Sequence, residues 1–245
     1  MNKFLFIFLA TLLAITFFTR SNFRRNIAIQ PEVLLEPIQT EPADKSLVQF
    51  TRDGYDYVLT PVFDYEISGL VVHTFDYSWL HFYKSDVTFP VDLCMIWGKN
   101  IISGAYQHPS LKFSQDSRWC QYRWRGQLDF NGSELSNNHL LIDNDALKKL
   151  AKSLSAGDQV KIIGKLVNVE AKGVGKLDTY DPEMFRMNTS TTRTDSGAGA
   201  CEIIFVEDLI ILKKGNPLSQ MVFQGSIYGL AVWLMYNIVK LLFFP

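Results

Sequence analysis

The segment "MVFQGSIYGLAVWLMYNIVKLLFFP", residues 221–245, carries no charge between Met221 and Val239. A bilayer's hydrocarbon core takes about 20 apolar residues to cross as a helix. Residues 218–245 are therefore expected to form a transmembrane helix, with Lys240 snorkelling to the interface. An interfacial helix is the weaker reading, because the charged face such helices need is missing. This constrains everything upstream, since whatever folds must do so on one side of a membrane. Gln224, Ser226 and Asn237 sit poorly in lipid, so a protein-facing stripe is expected. Gly225 and Gly229 form a G-x-x-x-G pair suited to close helix packing with a partner or a second copy. The alternative is that they are ordinary membrane-helix glycines.

The other end is also apolar. "FLFIFLATLLAITFF" (Phe4–Phe18) follows the basic "MNK", the pattern of a signal sequence or signal anchor. The run is short for a full span, and the bulky, basic "FFTRSNFRR" offers no small-x-small cleavage site. Residues 1–25 thus read as an uncleaved anchor, with cleavage as the alternative. Residues 26–50, mixing Pro and Glu without period, read as an extended tether. Arg20, Arg24, Arg25, Lys213 and Lys214 all lie toward the central region, which by the positive-inside rule favours a cytoplasmic domain. The short Lys-bearing N-terminus before an apolar run, and the cysteines discussed below, favour an exported one. The expectation is an integral membrane protein with the domain exported and the cytoplasm as the alternative.

The middle, residues 51–214, reads as one mainly β domain with a single capping helix. Aromatics make up 13% of the chain, and runs such as "YDYVLTPVFDYEISGLVVHTF" and "VTFPVDLCMIWG" carry the β-branched and aromatic residues that strands favour. Pro61 and Pro90 suggest edges or strand starts. In "DNDALKKLAKSLSAG", Leu147, Leu150, Ala151 and Leu154 recur at i, i+3, i+4 and i+7, one apolar stripe of a helix. Asp143 or Asn144 can cap it, and Gly157 is placed to end it. Gly164 in "GDQVKIIGKLVNVEA" suggests a bulge. "CEIIFVEDLIILKK" is apolar on both faces and reads as a central strand.

Helix, "GDQVKIIGKLV", long loop and "CEIIFVEDLIIL", about residues 140–214, resemble the second half of an OB-fold. That resemblance implies an OB-like, partly open β-barrel in which the helix plugs one end. Through "SGLVV", "DLCMIWG", "LSNNHLL", "GDQVKIIGKL" and "TSTTRTDSGAGACE" the chain also resembles an uncharacterised family of bacterial membrane-anchored proteins. That likeness implies an integral protein of a bacterial inner membrane, with the domain periplasmic and the cytoplasm as the alternative, and it implies no activity.

The candidate chemistry is thin. "TSTTRTDSGAGACE" places Gly197 and Gly199 before a strand rather than a helix, and no Walker lysine is present. A phosphate cradle is thus disfavoured against a turn tolerating positive φ. Arg193 and Asp195 are expected to pin that loop over the barrel mouth by a salt bridge or Asx turn, where OB loops line the ligand face. His73, His81, His108 and His139 show no metal-ligand spacing. His73 and His81 could meet Asp76 across a hairpin, and His139 reads as part of a polar turn before the helix. No cofactor or metal is expected. Burial as thiols is the default for the three cysteines, and if the domain is exported Cys94 and Cys120 are the preferred disulfide, leaving Cys201 over. "RWCQYRWRG" interleaves Arg118, Arg123 and Arg125 with Trp119, Tyr122 and Trp124. That pattern is either a stacking platform for single strands or sugars, or strand alternation with buried aromatics and solvated arginines.

Lys and Arg number 24 against 25 Asp and Glu, so the basic excess that supports nucleic-acid binding is absent. The leading expectation is a non-enzymatic binding or assembly module. A membrane-tethered hydrolase or transferase using Cys, His139 or Asp195 is the alternative, and single-strand or oligosaccharide binding comes third.

Overall fold

The computed structural model describes residues 3–20, 22–24, 27–77, 87–116, 118–173, 184–195, 197 and 199–243. His81 and Arg25 lie outside them. The fold is mainly β, with ten strands among the described residues: β1 (Ile38–Thr40), β2 (Val48–Arg52), β3 (Tyr55–Asp76), β4 (Val91–Ile96), β5 (Lys112–Asp116), β6 (Trp119–Arg123), β7 (Leu135–Leu141), β8 (Gln159–Gly173), β9 (Met184–Met187) and β10 (Glu202–Lys213). The helices are α1 (Lys3–Thr19), α2 (Lys99–Ile102), α3 (Asp145–Lys152) and α4 (Pro217–Phe243).

The main sheet turns back on itself. Its order runs β3–β4–β7–β10–β8, and β8 pairs again with β3. All of these pairings are antiparallel except β7 with β10. The enclosed face buries Val91, Leu93 and Met95 of β4, Leu140 of β7, Val160, Ile162 and Leu166 of β8, and Ile204, Val206 and Leu209 of β10. Helix α3 closes this core with Ala151 and, just past its end, Leu154, while Leu147 and Leu150 pack at its margin. Asn144 caps the helix by accepting from the amides of Ala146 and Leu147. Gly157 does not end it. The helix stops at Lys152, and Gly157 (φ +101°) instead turns the chain into β8, donating to the Val71 carbonyl at 2.8 Å.

Three further expectations change in detail. Residues 26–50 are no tether, since they supply β1, β2 and a 3-10 turn (Pro31–Leu34) with Val33 fully buried. The buried Gln159 side chain fixes this segment by accepting from Gln30 N and donating to Ala28 O. The bulge associated with Gly164 lies on the partner strand, between Val206 and Asp208. Gly164 is glycine because a Cβ there would collide with the Phe205 carbonyl oxygen. Pro90 does precede a strand, but Pro61 lies inside β3, between the spans paired with β2 and β1 and at a register shift against β8. A missing donor is tolerated there.

Helix α4 is long and apolar enough to cross a membrane. The shorter α1 packs along it, with Phe6 against Trp233 (4.6 Å), Phe17 near Phe223 (6.3 Å) and Thr19 hydrogen-bonded to Ser219 (3.3 Å). The pairing is antiparallel, so both helices leave the β domain from the same end. Of the two glycines in the G-x-x-x-G pair, Gly229 faces Leu9 at close range, while Gly225 has open space beside it. Buried Asp158 anchors the junction, pairing with Lys214 (2.9 Å) and accepting from Gly215 N.

Candidate functional site

Residues of β4 and β7 alternate between the enclosed core and the opposite face, as strand geometry requires. On that opposite face the chain carries polar groups. Asp92 and Cys94 of β4 stand opposite His139 and Asn137 of β7 in register. All four are buried, because the β5–β6 hairpin lies over them. "LSNNHLL" is thus a buried strand and not a polar turn, which corrects the reading of His139. Its flanking leucines could have marked the strand, but the four polar residues between them masked the alternation.

The hairpin is tied down at several points. Cys94 and Cys120 form a disulfide with Cα atoms 5.8 Å apart. Gln115 donates to Asn137 Oδ1 (2.8 Å) and faces His73 Nδ1 through its carbonyl (3.3 Å). Arg118, at φ +73° in the hairpin turn, donates to Asp92 Oδ1 (2.9 Å) and Phe89 O (2.8 Å). Its guanidinium lies 3.7 Å from the centroid of Tyr77. So costly a backbone conformation at a non-glycine residue persists because the surrounding contacts over-determine it. Arg118 is thereby a fastening residue and not part of an open stacking platform.

His139 Nδ1 lies 2.9 Å from Asp92 Oδ1, with both side chains essentially sealed from water. The contact is an ion pair without directed hydrogen-bond geometry at either ring nitrogen. Burial alone would hold this imidazole's pKa down, but Asp92 and the Cys201 sulfur outweigh it and lift the pKa to about 9. Asn137 Nδ2 donates to Cys201 Sγ at 3.3 Å. Asp92 of β4, His139 and Asn137 of β7 and the free thiol of Cys201, just before β10, therefore form one line.

This line ends at a cavity of about 130 Å³ between the hairpin and the loop before β10. Trp119, Tyr122, Arg193, Asp195, Cys201 and Glu202 are among its lining residues. The loop is held by side chains and not by a salt bridge, for Asp195 accepts from Ser190 Oγ (2.6 Å) while Arg193 donates to the Pro37 carbonyl (3.3 Å). Thr189 takes the Ile203 amide at 3.0 Å, seating the loop on the strand. Gly197 and Gly199 have φ of +86° and +92°, the left-handed region that a turn uses and glycine supplies without strain. Glu202 is the residue that sequence reasoning missed. One of its carboxyl oxygens is buried without a partner, and burial, with Asp195 nearby, pushes its pKa up to about 8.

The remaining candidates lie elsewhere. Tyr122 and Trp124 stack on each other at 6.1 Å and are each more than a third exposed, so the alternation does not bury these aromatics. Arg123, Trp124 and Arg125 line a separate groove with Ser110 and Lys112. His108 accepts from Ser110 N within its own turn. Among the described residues no group of three His, Cys, Asp or Glu side chains is placed to hold a metal ion.

Comparison of the chain with protein-family models, with curated proteins and with solved structures finds no match.

Proposed function

We propose that this chain is a membrane-anchored binding module, an OB-like barrel carried on a helical hairpin, that receives one side chain of a protein partner. The OB reading is supported by the strand cycle, by the single parallel pairing of β7 with β10, and by α3 between β7 and β8. The carrying observation is the cavity. At about 130 Å³ it falls below the roughly 300–1,000 Å³ of small-molecule sites and suits a single anchoring residue of the kind that dominates interfaces. Burial raises the Glu202 pKa to about 8, toward the neutral acid, and one of its oxygens is unpartnered, so a carboxamide or carboxylate tip is the complementary anchor. Placement on the outer side of a bacterial inner membrane is supported by the Cys94–Cys120 bridge, since reducing compartments oppose stable disulfides. The basic residues on the domain side have structural work of their own. Lys214 holds Asp158, Arg24 holds the Leu111 carbonyl, and Arg20 lies over Phe223. Their positive-inside signal is correspondingly weaker. Gly225, with open space beside it, is available to a membrane partner or a second copy.

The test uses acetamide and acetate as mimics of the anchoring side chain. Both should slow alkylation of Cys201, whereas toluene should not, and Ala200→Phe should abolish the protection by filling the cavity. Equal protection by toluene, or none by either polar mimic, would remove this reading.

A second reading is favoured by one observation, the Asp92–His139–Cys201 line. It has the order of groups in a cysteine nucleophile site, in which a base assists the thiol and a carboxylate orients the base. Turnover of p-nitrophenyl acetate that is lost in Cys201→Ser would select it over the module.

A further inference from the structure

We infer that the groove lined by Ser110, Lys112, Arg123, Trp124 and Arg125 is a binding site for the phosphate of an anionic phospholipid headgroup. The inference rests on the membrane attachment proposed above and is independent of the cavity at Cys201. The groove encloses about 490 Å³, and among the described residues no acidic one lines it. Among the described residues Lys112, Arg123 and Arg125 enter no ion pair. By contrast Lys161, Lys165 and Lys214 each hold a carboxylate within 3.0 Å. Three cations gathered on a hairpin without counter-charges repel one another, and an anion between them relieves that repulsion. Two guanidinium forks match phosphate oxygens in pairs, while the lysine adds a point charge.

The position of the groove selects the source of the phosphate. Leu111, between two of its lining residues, accepts from Arg24, and the adjacent Phe113 ring lies 5.9 Å from Phe23. Phe23 and Arg24 follow directly on α1, whose last residue bonds Ser219 at the start of α4. The groove therefore sits at the end of the domain from which both helices emerge. Helix α4 has 27 residues, about 40 Å at 1.5 Å per residue, against a hydrocarbon core of about 30 Å. The surplus reaches into the headgroup layer, where the groove would meet lipid phosphates at high local density. Trp124 and Tyr122 stack beside it and remain exposed, the placement that amphipathic aromatics take at membrane interfaces.

The experiment is native mass spectrometry of the full chain released from nanodiscs containing equal phosphatidylglycerol and phosphatidylcholine. The wild type should retain phosphatidylglycerol preferentially. The combined Lys112→Gln, Arg123→Gln and Arg125→Gln variant should hold it on the order of 100-fold more weakly, and Lys112→Arg should behave as wild type. Persistence of the Cys94–Cys120 bridge in the triple variant shows that the hairpin is still folded; if the bridge is lost, the single Arg125→Gln chain, expected to bind several-fold more weakly, decides. Equal retention by wild type and the variant that decides would overturn the assignment. So would displacement of the lipid by millimolar inorganic phosphate, or tighter binding of oligothymidine. Failure of the chain to enter nanodiscs would instead count against membrane attachment itself.

Discussion

The imidazole of His139 lies 2.9 Å from the carboxylate of Asp92, on adjacent strands, and Arg118 reaches the same oxygen from the hairpin above. One buried carboxylate thus serves two cations and ties the β5–β6 hairpin to the face it covers. Removing one member of a buried charge group leaves the others desolvated and uncompensated, at a cost of roughly 3–5 kcal/mol. Asp92→Ala should lower stability by about that much in urea unfolding followed by tryptophan fluorescence. A change under 1 kcal/mol would mean that water already reaches the pair.

Glu202 and His139 both bind protons more tightly in the folded chain than in the unfolded one, with pKa values of about 8 and about 9. A raised folded pKa means that stability is present at low pH and is lost as pH rises from the unfolded value through the folded one. For Glu202 that window runs from about 4.3 to 8, and for His139 from about 6.5 to 9. Stability should therefore fall with increasing pH, by up to about 1.4 kcal/mol per pH unit for each titrating group. Glu202→Gln should flatten the slope between pH 5 and 6, where His139 contributes little. An unchanged slope in that variant would show that Glu202 is ionised in the fold.

The nucleophile reading requires the His139 imidazole to act on the Cys201 sulfur, so replacing that ring should change how fast the thiol reacts. After the cavity is opened with Trp119→Ala, iodoacetamide should modify Cys201 at least several-fold faster at pH 7 than in the same background carrying His139→Gln. Equal rates would show that the imidazole does not act on the sulfur and would weaken the nucleophile reading.

The helix was legible because its residues meet the core at a fixed spacing. Leu147, Leu150, Ala151 and Leu154 form one stripe, and all four pack on the enclosed core. The chain reversal at Gly197 and Gly199 was legible for a similarly local reason. The site was not, because its members are separated by dozens of residues and meet only through register, Asp92 opposite His139 and Cys201 beside Asn137. A polar run such as "SNNH" reads as solvent-facing unless one knows that a hairpin inserted between β4 and β7 covers it. The segment 26–50 misled for the opposite reason. Its prolines and glutamates look like linker, yet Val33 is fully buried and the backbone around Gln30 is fixed by the distant Gln159.

Truncation along the apolar stripe should grade with burial. Leu154 is 4% exposed, whereas Leu147 and Leu150 are only partly buried at the margin of the core. Leu154→Ala should cost roughly 2–5 kcal/mol and Leu147→Ala clearly less. The reverse order in denaturant melts would mean that α3 is rotated about its axis.

The cysteines tie compartment to fold. Cys94 and Cys120 are separated by 26 residues and join β4 to the covering hairpin, while Cys201 is a buried free thiol. By the chain-entropy argument, closing a loop of that length adds about 3.5 kcal/mol, and here it also holds the cover over Asp92 and His139. Chains trapped in acid and unfolded without reductant should label at one cysteine, and at three after reduction. The paired Cys94→Ser and Cys120→Ser variant should lose stability by roughly 2–4 kcal/mol and admit iodoacetamide to Cys201 faster, because the hairpin then loses its covalent tie to β4 and keeps only noncovalent ones such as those of Arg118 and Gln115. Three labelled cysteines without reductant would place the domain in a reducing compartment and return the topology to the positive-inside count. If the serine variant left Cys201 as protected as before, the hairpin's polar fastenings alone would suffice and the bridge would contribute nothing to the cover.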